Sequence, residues 1–130
     1  MKVVFDTNIY VSAFVFPGSS ANRAMQCIFD GRDALLISKP ILDELLTILA
    51  HKFSRDADAL GRTALLLTEL AEVIQPKERV SVFEDDPDNR VLECAIAGQA
   101  RAIVTGDKAM LAVEISHGVR LLSLSAYLRR

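Results

Sequence analysis

Two aspartates stand directly after apolar runs that are typical of buried strands. Asp6 follows residues 3–5, and Asp107 lies just past residues 102–104. Short continuous apolar runs favour strands of a parallel sheet, where functional sites form beyond the carboxyl ends of the strands. A carboxylate beside a buried strand is costly unless a cation or a hydrogen-bond donor satisfies it. The sequence leaves two interpretations of these aspartates open, a metal ligand and a helix N-cap.

A third aspartate, Asp88, lies in the first turn of a predicted helix and carries the same two interpretations. In a helical projection it shares a face with Leu92 and Ala95, one and two turns further on. That face is expected to look toward the core, so Asp88 is predicted to point inward. Glu93 projects well away from the same face and is predicted to be solvated.

The remaining acids near these positions are interpreted separately. Asp85 and Asp86 precede a proline and are predicted to be loop and capping residues. Glu44 lies at the rim of the apolar stripe of its own predicted helix, whereas Asp43 lies opposite that stripe. Glu44 is therefore the candidate fourth acid of the site, although the pattern alone favours a solvated rim glutamate.

Clustered carboxylates are suited to phosphodiester chemistry. Hard cations such as Mg²⁺ and Mn²⁺ prefer oxygen ligands, and carboxylates gathered in one place repel one another without a cation. A bound cation positions a water molecule, lowers its pKa and stabilises charge on a phosphate. Three basic residues near the predicted site, Lys39, Arg90 and Lys108, could contact RNA phosphates, and each is equally an ordinary charge at a helix end.

The elements that must position these acids alternate between strands and helices. Further strands are predicted at residues 34–37 and 119–122, and helices at residues 9–14, 20–29, 40–53, 56–73 and 87–97. Residues 80–83 are predicted to be extended, a short helix is predicted from Lys108, and Ser125 is predicted to cap a final half-turn. This alternation favours an α/β fold with a mainly parallel sheet.

The composition limits the class of protein. The chain has 130 residues, of which 51% are hydrophobic and 25% charged, which suits a single domain spanning residues 1–130. The net charge of −2 shows no overall basic bias, so any nucleic-acid contact must be local. Cys27 and Cys94 have no metal-binding spacing and are predicted to be buried free thiols. No signal peptide or membrane span is predicted, and we expect a cytoplasmic protein.

Several segments together resemble the PIN domain family, and within it the bacterial toxins of toxin–antitoxin systems akin to VapC. They are DTNI at residues 6–9, SKPILDEL at 38–45, DPDN at 86–89, LECA at 92–95 and TGDK at 105–108. Each segment is weak alone, but their order and the chain length match over essentially the whole sequence. The resemblance implies a three-layer α/β/α sandwich with a mainly parallel sheet. It also implies an Mg²⁺- or Mn²⁺-dependent endoribonuclease, commonly a homodimer, inhibited by a cognate antitoxin protein.

Carried over by position, the resemblance implies an acidic catalytic cluster and supporting polar groups. The catalytic acids are Asp6, Glu44, Asp88 and Asp107, and the metal ligands are Asp6, Asp88 and Asp107. Asn8 and Thr105 occupy positions of supporting polar residues, and Thr105 could orient a carboxylate or the attacking water.

The chain departs from the family pattern at one position. Related sequences often carry another acid shortly after the position of Asp107, where this chain has Ala109, and this puts a second metal site in doubt. An alternative is therefore a catalytically degenerate module that binds RNA or a protein without cleaving. A third hypothesis, a phosphatase with Asp6 as nucleophile, is disfavoured because Asn8 stands where such enzymes usually need a second acid.

Overall fold

The sheet is built around β1, which spans Lys2–Phe5. In the computed structural model, which describes residues 1–130, the side chains of Val3, Val4 and Phe5 are fully buried. An apolar run with no solvent-facing member suits the interior of a sheet that is covered on both faces. The strand accordingly pairs in parallel with β2 (Ala34–Ser38) on one side. On its other side it pairs in parallel with a strand at Ala102–Val104.

Six strands form one sheet whose order reverses beside β1. The strands that follow β2 are β3 (Glu72–Ile74), β4 (Ala102–Val104), β5 (Ile115–Ser116) and β6 (Val119–Leu122). Their order across the sheet is β3-β2-β1-β4-β6-β5, and only β5 is antiparallel to its neighbour. The chain first builds outward from β1 to β3 and then resumes on the opposite side at β4. The switch point therefore lies between the ends of β1 and β4, where a crevice forms.

Helices flank the sheet and give the three-layer α/β arrangement that the sequence predicts. They are α1 (Thr7–Val15), α2 (Ser20–Phe29), α3 (Lys39–Lys52), α4 (Ala57–Leu70), α5 (Asp86–Ala97), α6 (Lys108–Val113) and α7 (Leu124–Leu128). α5 packs against β1, β2 and β4. The core is mostly aliphatic, and Cys27 and Cys94 are buried free thiols within it, as predicted. None of the helices combines the length and the apolar composition that crossing a bilayer requires.

The segment between β3 and α5 contains no strand, contrary to the prediction of an extended stretch at residues 80–83. Its backbone donors are taken by side chains of α5 instead. The amide of Val80 donates to Glu93 at 2.9 Å, and the amides of Val82 and Phe83 donate to Oδ1 of Asn89 at 3.0 and 2.8 Å. The prediction that Glu93 is solvated is therefore wrong. Its residue is 4% exposed because this segment covers it, and Arg90 pairs with it.

Several element ends differ from the prediction by local geometry. The predicted helix over residues 56–73 ends at Leu70, and its last predicted residues form the edge strand β3. α5 begins one residue early, with Asp85 rather than Asp86 at the N-cap position. The final helix is capped by Ser123, which accepts from the amide of Ala126, and not by Ser125. Capping depends on backbone dihedral angles, and the residue type alone does not determine them.

The two ends of the fold meet at Asp33, a buried carboxylate at the start of β2. Tyr127 donates to Oδ2 of Asp33 at 2.7 Å, and the amino group of Met1 donates to Oδ1 at 2.9 Å. Arg130 forms an ion pair with the same carboxylate and stacks over the ring of Tyr127 at 4.1 Å. α7 is thereby fixed to the first turn of the sheet by charge-assisted hydrogen bonds.

Two glycines in helical surroundings predict opposite effects on stability. A Cβ at Gly98 would lie 2.5 Å from the Cδ1 atom of Leu36, which is fully buried, so Gly98→Ala should lower the free energy of unfolding by about 1–3 kcal/mol through overpacking. Gly61, inside α4, has open space around its Cα, so Gly61→Ala should raise it by roughly 0.5–1 kcal/mol. Urea unfolding of both variants measures the difference. An unchanged Gly98→Ala midpoint would contradict the packing of α5 against β2.

Candidate active site

Asp6 is held rigidly at the carboxyl end of β1. Its residue is 5% exposed, and its Oδ1 accepts from the amide of Thr7 at 2.8 Å. Its Oδ2 accepts from Oγ1 of Thr105 at 2.8 Å. Burial raises the pKa of Asp6, and these two hydrogen bonds oppose that increase. The N-cap interpretation of Asp6 is thus met, and because a carboxylate accepts at more than two positions, each oxygen keeps acceptor capacity toward the crevice.

Thr105 links two of the predicted acids. Its fully buried hydroxyl donates to Asp6 and accepts from the amide of Asp107 at 3.0 Å. Asp107 in turn occupies the N-cap position of α6, where its Oδ1 accepts from the amide of Met110 at 3.0 Å. The chain beyond β4 is therefore tied to the chain beyond β1 at the switch point of the sheet.

Asp88 has a buried carboxylate without a hydrogen-bond partner. Its residue is 8% exposed, at the start of α5, with Leu92 and Ala95 fully buried on the same face, as the helical projection predicts. Burial raises its pKa to about 7, and the charges of neighbouring carboxylates raise it further. In decreasing order of effect, those neighbours are Asp6, Asp85, Asp107 and Glu44. A buried acid among like charges lacks a positive partner.

Glu44 faces the same group of acids from α3. Its half-buried side chain accepts through Oε2 from the hydroxyl of Thr7 at 3.2 Å. Burial raises the pKa of Glu44, and so does the charge of Asp6. Asp43 instead is exposed and pairs with Lys39 at 2.6 Å. Sequence reasoning missed Thr7 as a supporting residue. Asn8, predicted for that role, is exposed.

The acids border a cleft of about 430 Å³ that has one charged and one apolar side. Its lining consists of the acids Glu84, Asp85, Asp88 and Asp107 and the apolar residues Val82, Phe83, Ala109 and Val113. As the side chains stand, no three of them lie close enough together to hold one ion. The donor set nevertheless suits Mg²⁺, since that ion is usually held by one or two carboxylates and keeps several waters.

The three predicted RNA-contact residues differ in their surroundings. Lys39 is engaged by Asp43, and Arg90 pairs with both Glu93 and Asp86. Lys108 is exposed at the start of α6, next to Asp107, and no carboxylate pairs with it. Lys108 is therefore the predicted contact whose charge is available at the mouth of the cleft.

The fold and the site define a small doubly wound α/β domain with a carboxylate centre at the switch point of its sheet. Residues 2–109 match the family model of the PIN domain, and the chain belongs to the PIN domain family. An uncharacterised protein from Methanocaldococcus jannaschii is 26% identical over 117 residues, covering 87% of this chain and 75% of that protein.

Two solved structures share the fold. The chain resembles VapBC-1 from nontypeable Haemophilus influenzae with a TM-score of 0.67 and 20% identity, covering 96% of this chain and 99% of that one. It resembles VapBC2 from Rickettsia felis, crystallised with a DNA fragment from the promoter, with a TM-score of 0.64 and 18% identity. The latter match covers 95% of this chain and 98% of that one. At such identities the likeness concerns the fold alone.

Proposed function

We propose that this protein is a divalent-metal-dependent endoribonuclease that hydrolyses RNA phosphodiester bonds. The single observation that carries the proposal is the unpartnered, buried carboxylate of Asp88 among Asp6, Glu44 and Asp107 at the switch point of the sheet. Such an arrangement is stable only if a cation offsets the mutual repulsion of the acids. Membership of the PIN domain family supports nuclease chemistry at this site.

Asp6, Asp88 and Asp107 are the residues that would hold Mg²⁺ or Mn²⁺. When bound, the cation lowers the pKa of a coordinated water and offsets phosphate charge. Asp6 contributes a carboxylate already oriented by Thr7 and Thr105, so little order has to be gained on binding. Asp88 contributes the charge that has no other partner in the fold.

Glu44 is the proposed general base. Its raised pKa brings it closer to neutrality, where a base is most effective. Because Thr7 occupies Oε2, the proton of the attacking water would be taken by Oε1. Lys108 would meet a phosphate at the mouth of the cleft. Lys39 and Arg90 would have to exchange a carboxylate partner for a phosphate to do the same.

The two VapBC structures with the same fold support the further proposal that this chain is the toxin of a toxin–antitoxin pair, with a cognate antitoxin and a homodimeric state. Exposed apolar side chains on α4, Leu65 at 60% and Leu66 at 37%, are available for such contacts. Expression in a bacterial host should arrest growth. Growth that continues with active protein present would contradict the toxin assignment, and light scattering that shows only monomer would contradict the dimer.

The nuclease proposal is tested by incubating the purified protein with single-stranded and structured RNA in Mg²⁺ or Mn²⁺. Cleavage should stop when a chelator removes the cation and return when the cation is restored. Persistence of cleavage in excess chelator would contradict a metal-dependent mechanism. The alternative, a module that binds RNA or a protein without cleaving, is motivated by Ala109 in the cleft. Titration calorimetry that shows no Mn²⁺ binding at millimolar concentration would favour this alternative.

Thr105→Val should weaken both the site and the fold. The substitution keeps the shape of the side chain but removes the hydroxyl that joins Asp6 to the amide of Asp107. We expect roughly tenfold slower RNA cleavage, the effect of losing a group that orients a ligand, and about 1–3 kcal/mol lower stability from the unsatisfied buried groups. Thr105→Ser retains the hydroxyl and should recover most of the activity. Equal loss in both variants would show that packing, not the hydrogen bonds, matters here.

A further inference from the structure

Asp85 stands where its carboxylate has no structural task. It occupies the N-cap position of α5, yet its side chain makes no capping hydrogen bond. The other aspartates at N-cap positions, Asp6, Asp56 and Asp107, all accept from a backbone amide of their helix. An unused cap forgoes about 1 kcal/mol of helix stabilisation. The carboxylate of Asp85 also forms no ion pair, so its charge is left to act elsewhere.

That charge acts on the candidate active site. Asp85 lines the same cleft as Asp88, Asp107 and Ala109. After the effect of burial, its charge is among the causes that raise the pKa of Asp6, Glu44 and Asp88. Glu84 lines the cleft as well, but its charge is not among the causes of any of these shifts.

The adjacent Asp86 behaves differently although it has the same side chain. Asp86 is exposed and pairs with Arg90 at 3.2 Å, one turn along α5. It borders a separate, wholly polar hollow with Lys77 and Arg79, and not the cleft of the acids. The two neighbours thus separate a carboxylate that faces the site from one that is neutralised on the surface.

The backbone that carries Asp85 is fixed in place. Asn89, 2% exposed, accepts from the amides of Val82 and Phe83 and donates to the carbonyl of Phe83 at 2.9 Å. The amide of Asp88 donates to the carbonyl of Asp85 at 3.1 Å. A charge anchored this close to the buried, unpartnered carboxylate of Asp88 would be destabilising in the absence of a cation, since like charges then have no counterpart.

We propose that Asp85 is a fifth carboxylate of the metal centre, which helps to hold the divalent cation from the side of the cleft where Ala109 provides no ligand. This inference rests on the proposed function, because it takes the same site as the cation site. It assigns Asp85 to cation binding and leaves the proposed base, Glu44, unchanged. The sequence prediction of Asp85 as a loop or capping residue describes its position in the chain but not its side chain.

The test is titration calorimetry of the intact protein with Mn²⁺ alone, without RNA, in wild type, Asp85→Asn, Asp86→Asn and Glu84→Gln. Each variant removes one negative charge within three consecutive positions. Asp85→Asn should bind Mn²⁺ roughly tenfold more weakly, and the two controls less than about threefold, since an exposed or paired charge is largely screened. Thermal unfolding without metal should show Asp85→Asn at least as stable as wild type, because a repulsion is removed.

The outcomes separate this inference from the proposed function. If wild type binds Mn²⁺ and Asp85→Asn binds it equally well, Asp85 is not part of the centre and the proposed function stands. If all three variants weaken binding to the same extent, the effect is one of overall charge, and the assignment of Asp85 is likewise overturned. If wild type binds no Mn²⁺, the metal centre itself is contradicted, and the proposed function fails first.

Discussion

Asp88→Asn is expected to abolish RNA cleavage while making the metal-free protein more stable. Loss of the charge removes a proposed metal ligand, and activity should fall by about two to three orders of magnitude, as it does when one electrostatic stabiliser of a transition state is lost. The same change relieves the repulsion from Asp6 and Asp85 and leaves a neutral amide of similar shape. We expect a gain of about 2 kcal/mol in the free energy of unfolding near pH 8.

The pH dependence of stability provides a second measurement on the same variant. Because the pKa of Asp88 is raised from 3.8 to about 7 in the folded state, the folded protein binds more protons than the unfolded chain between these values. Stability should therefore fall as the pH rises from about 4 to about 7, and Asp88→Asn should remove much of that slope. Added Mn²⁺ should raise the melting temperature of wild type at pH 8 but change that of the variant little.

The control is Asp43→Asn, because Asp43 is exposed on α3 and pairs only with Lys39. It should leave cleavage, Mn²⁺ stabilisation and the pH slope close to wild type. Full cleavage activity in Asp88→Asn would contradict the assigned site, whatever its effect on stability. A metal-free Asp88→Asn that is less stable than wild type would show that the carboxylate has a structural partner in solution.

Asp33→Asn should produce the largest loss of stability of any single substitution considered. The carboxylate of Asp33 is 3% exposed, and its removal leaves Arg130 and the amino group of Met1 without their buried partner. Breaking one side of a buried ion pair costs about 3–5 kcal/mol. Asp30→Asn is the matched control, since Asp30 is exposed and its side chain bonds only to Gln26. It should change stability by less than about 0.5 kcal/mol.

The acid limb of stability should depend on the same residue. Burial alone would raise the pKa of Asp33, but hydrogen bonds from Arg130, Tyr127 and the amino group of Met1 lower it well below its usual value of 3.8. The stabilisation is therefore complete above about pH 4 and is lost as the pH falls below it. Asp33→Asn should be less sensitive to acid than wild type. Parallel acid unfolding curves would contradict this role of Asp33.

Helical periodicity predicted the inward direction of Asp88 but failed for Glu93. The projection places Glu93 away from the face that packs on the sheet, and that placement is consistent with the fold. What covers Glu93 is the segment at residues 75–85, which has no periodic pattern of its own. Burial by an irregular segment leaves no signal in the helix that it covers. A clue lay in Arg90, three residues before Glu93, since ion pairs at this spacing join neighbouring turns.

Strand-end logic predicted where Asp6 and Asp107 would meet, because the ends of parallel strands share one edge of the sheet. It did not predict Thr7, whose hydroxyl reaches Glu44 across 37 positions of sequence. It also did not separate Asp85 from Asp86, since the position at which α5 begins depends on dihedral angles. The edge strand β3 was missed because Val73 and Ile74 continue the apolar pattern of the helix before them.

The sheet is closed to growth at both of its borders. At one border stands β3, three residues long, and at the other stands β5, two residues long and reversed in direction. Edges this short offer too few free amides and carbonyls to recruit a strand from another molecule. Self-association of the protein is thereby directed away from strand addition and onto the outer surfaces of the helices, and any assembly that it forms should leave the six-stranded sheet at its present width.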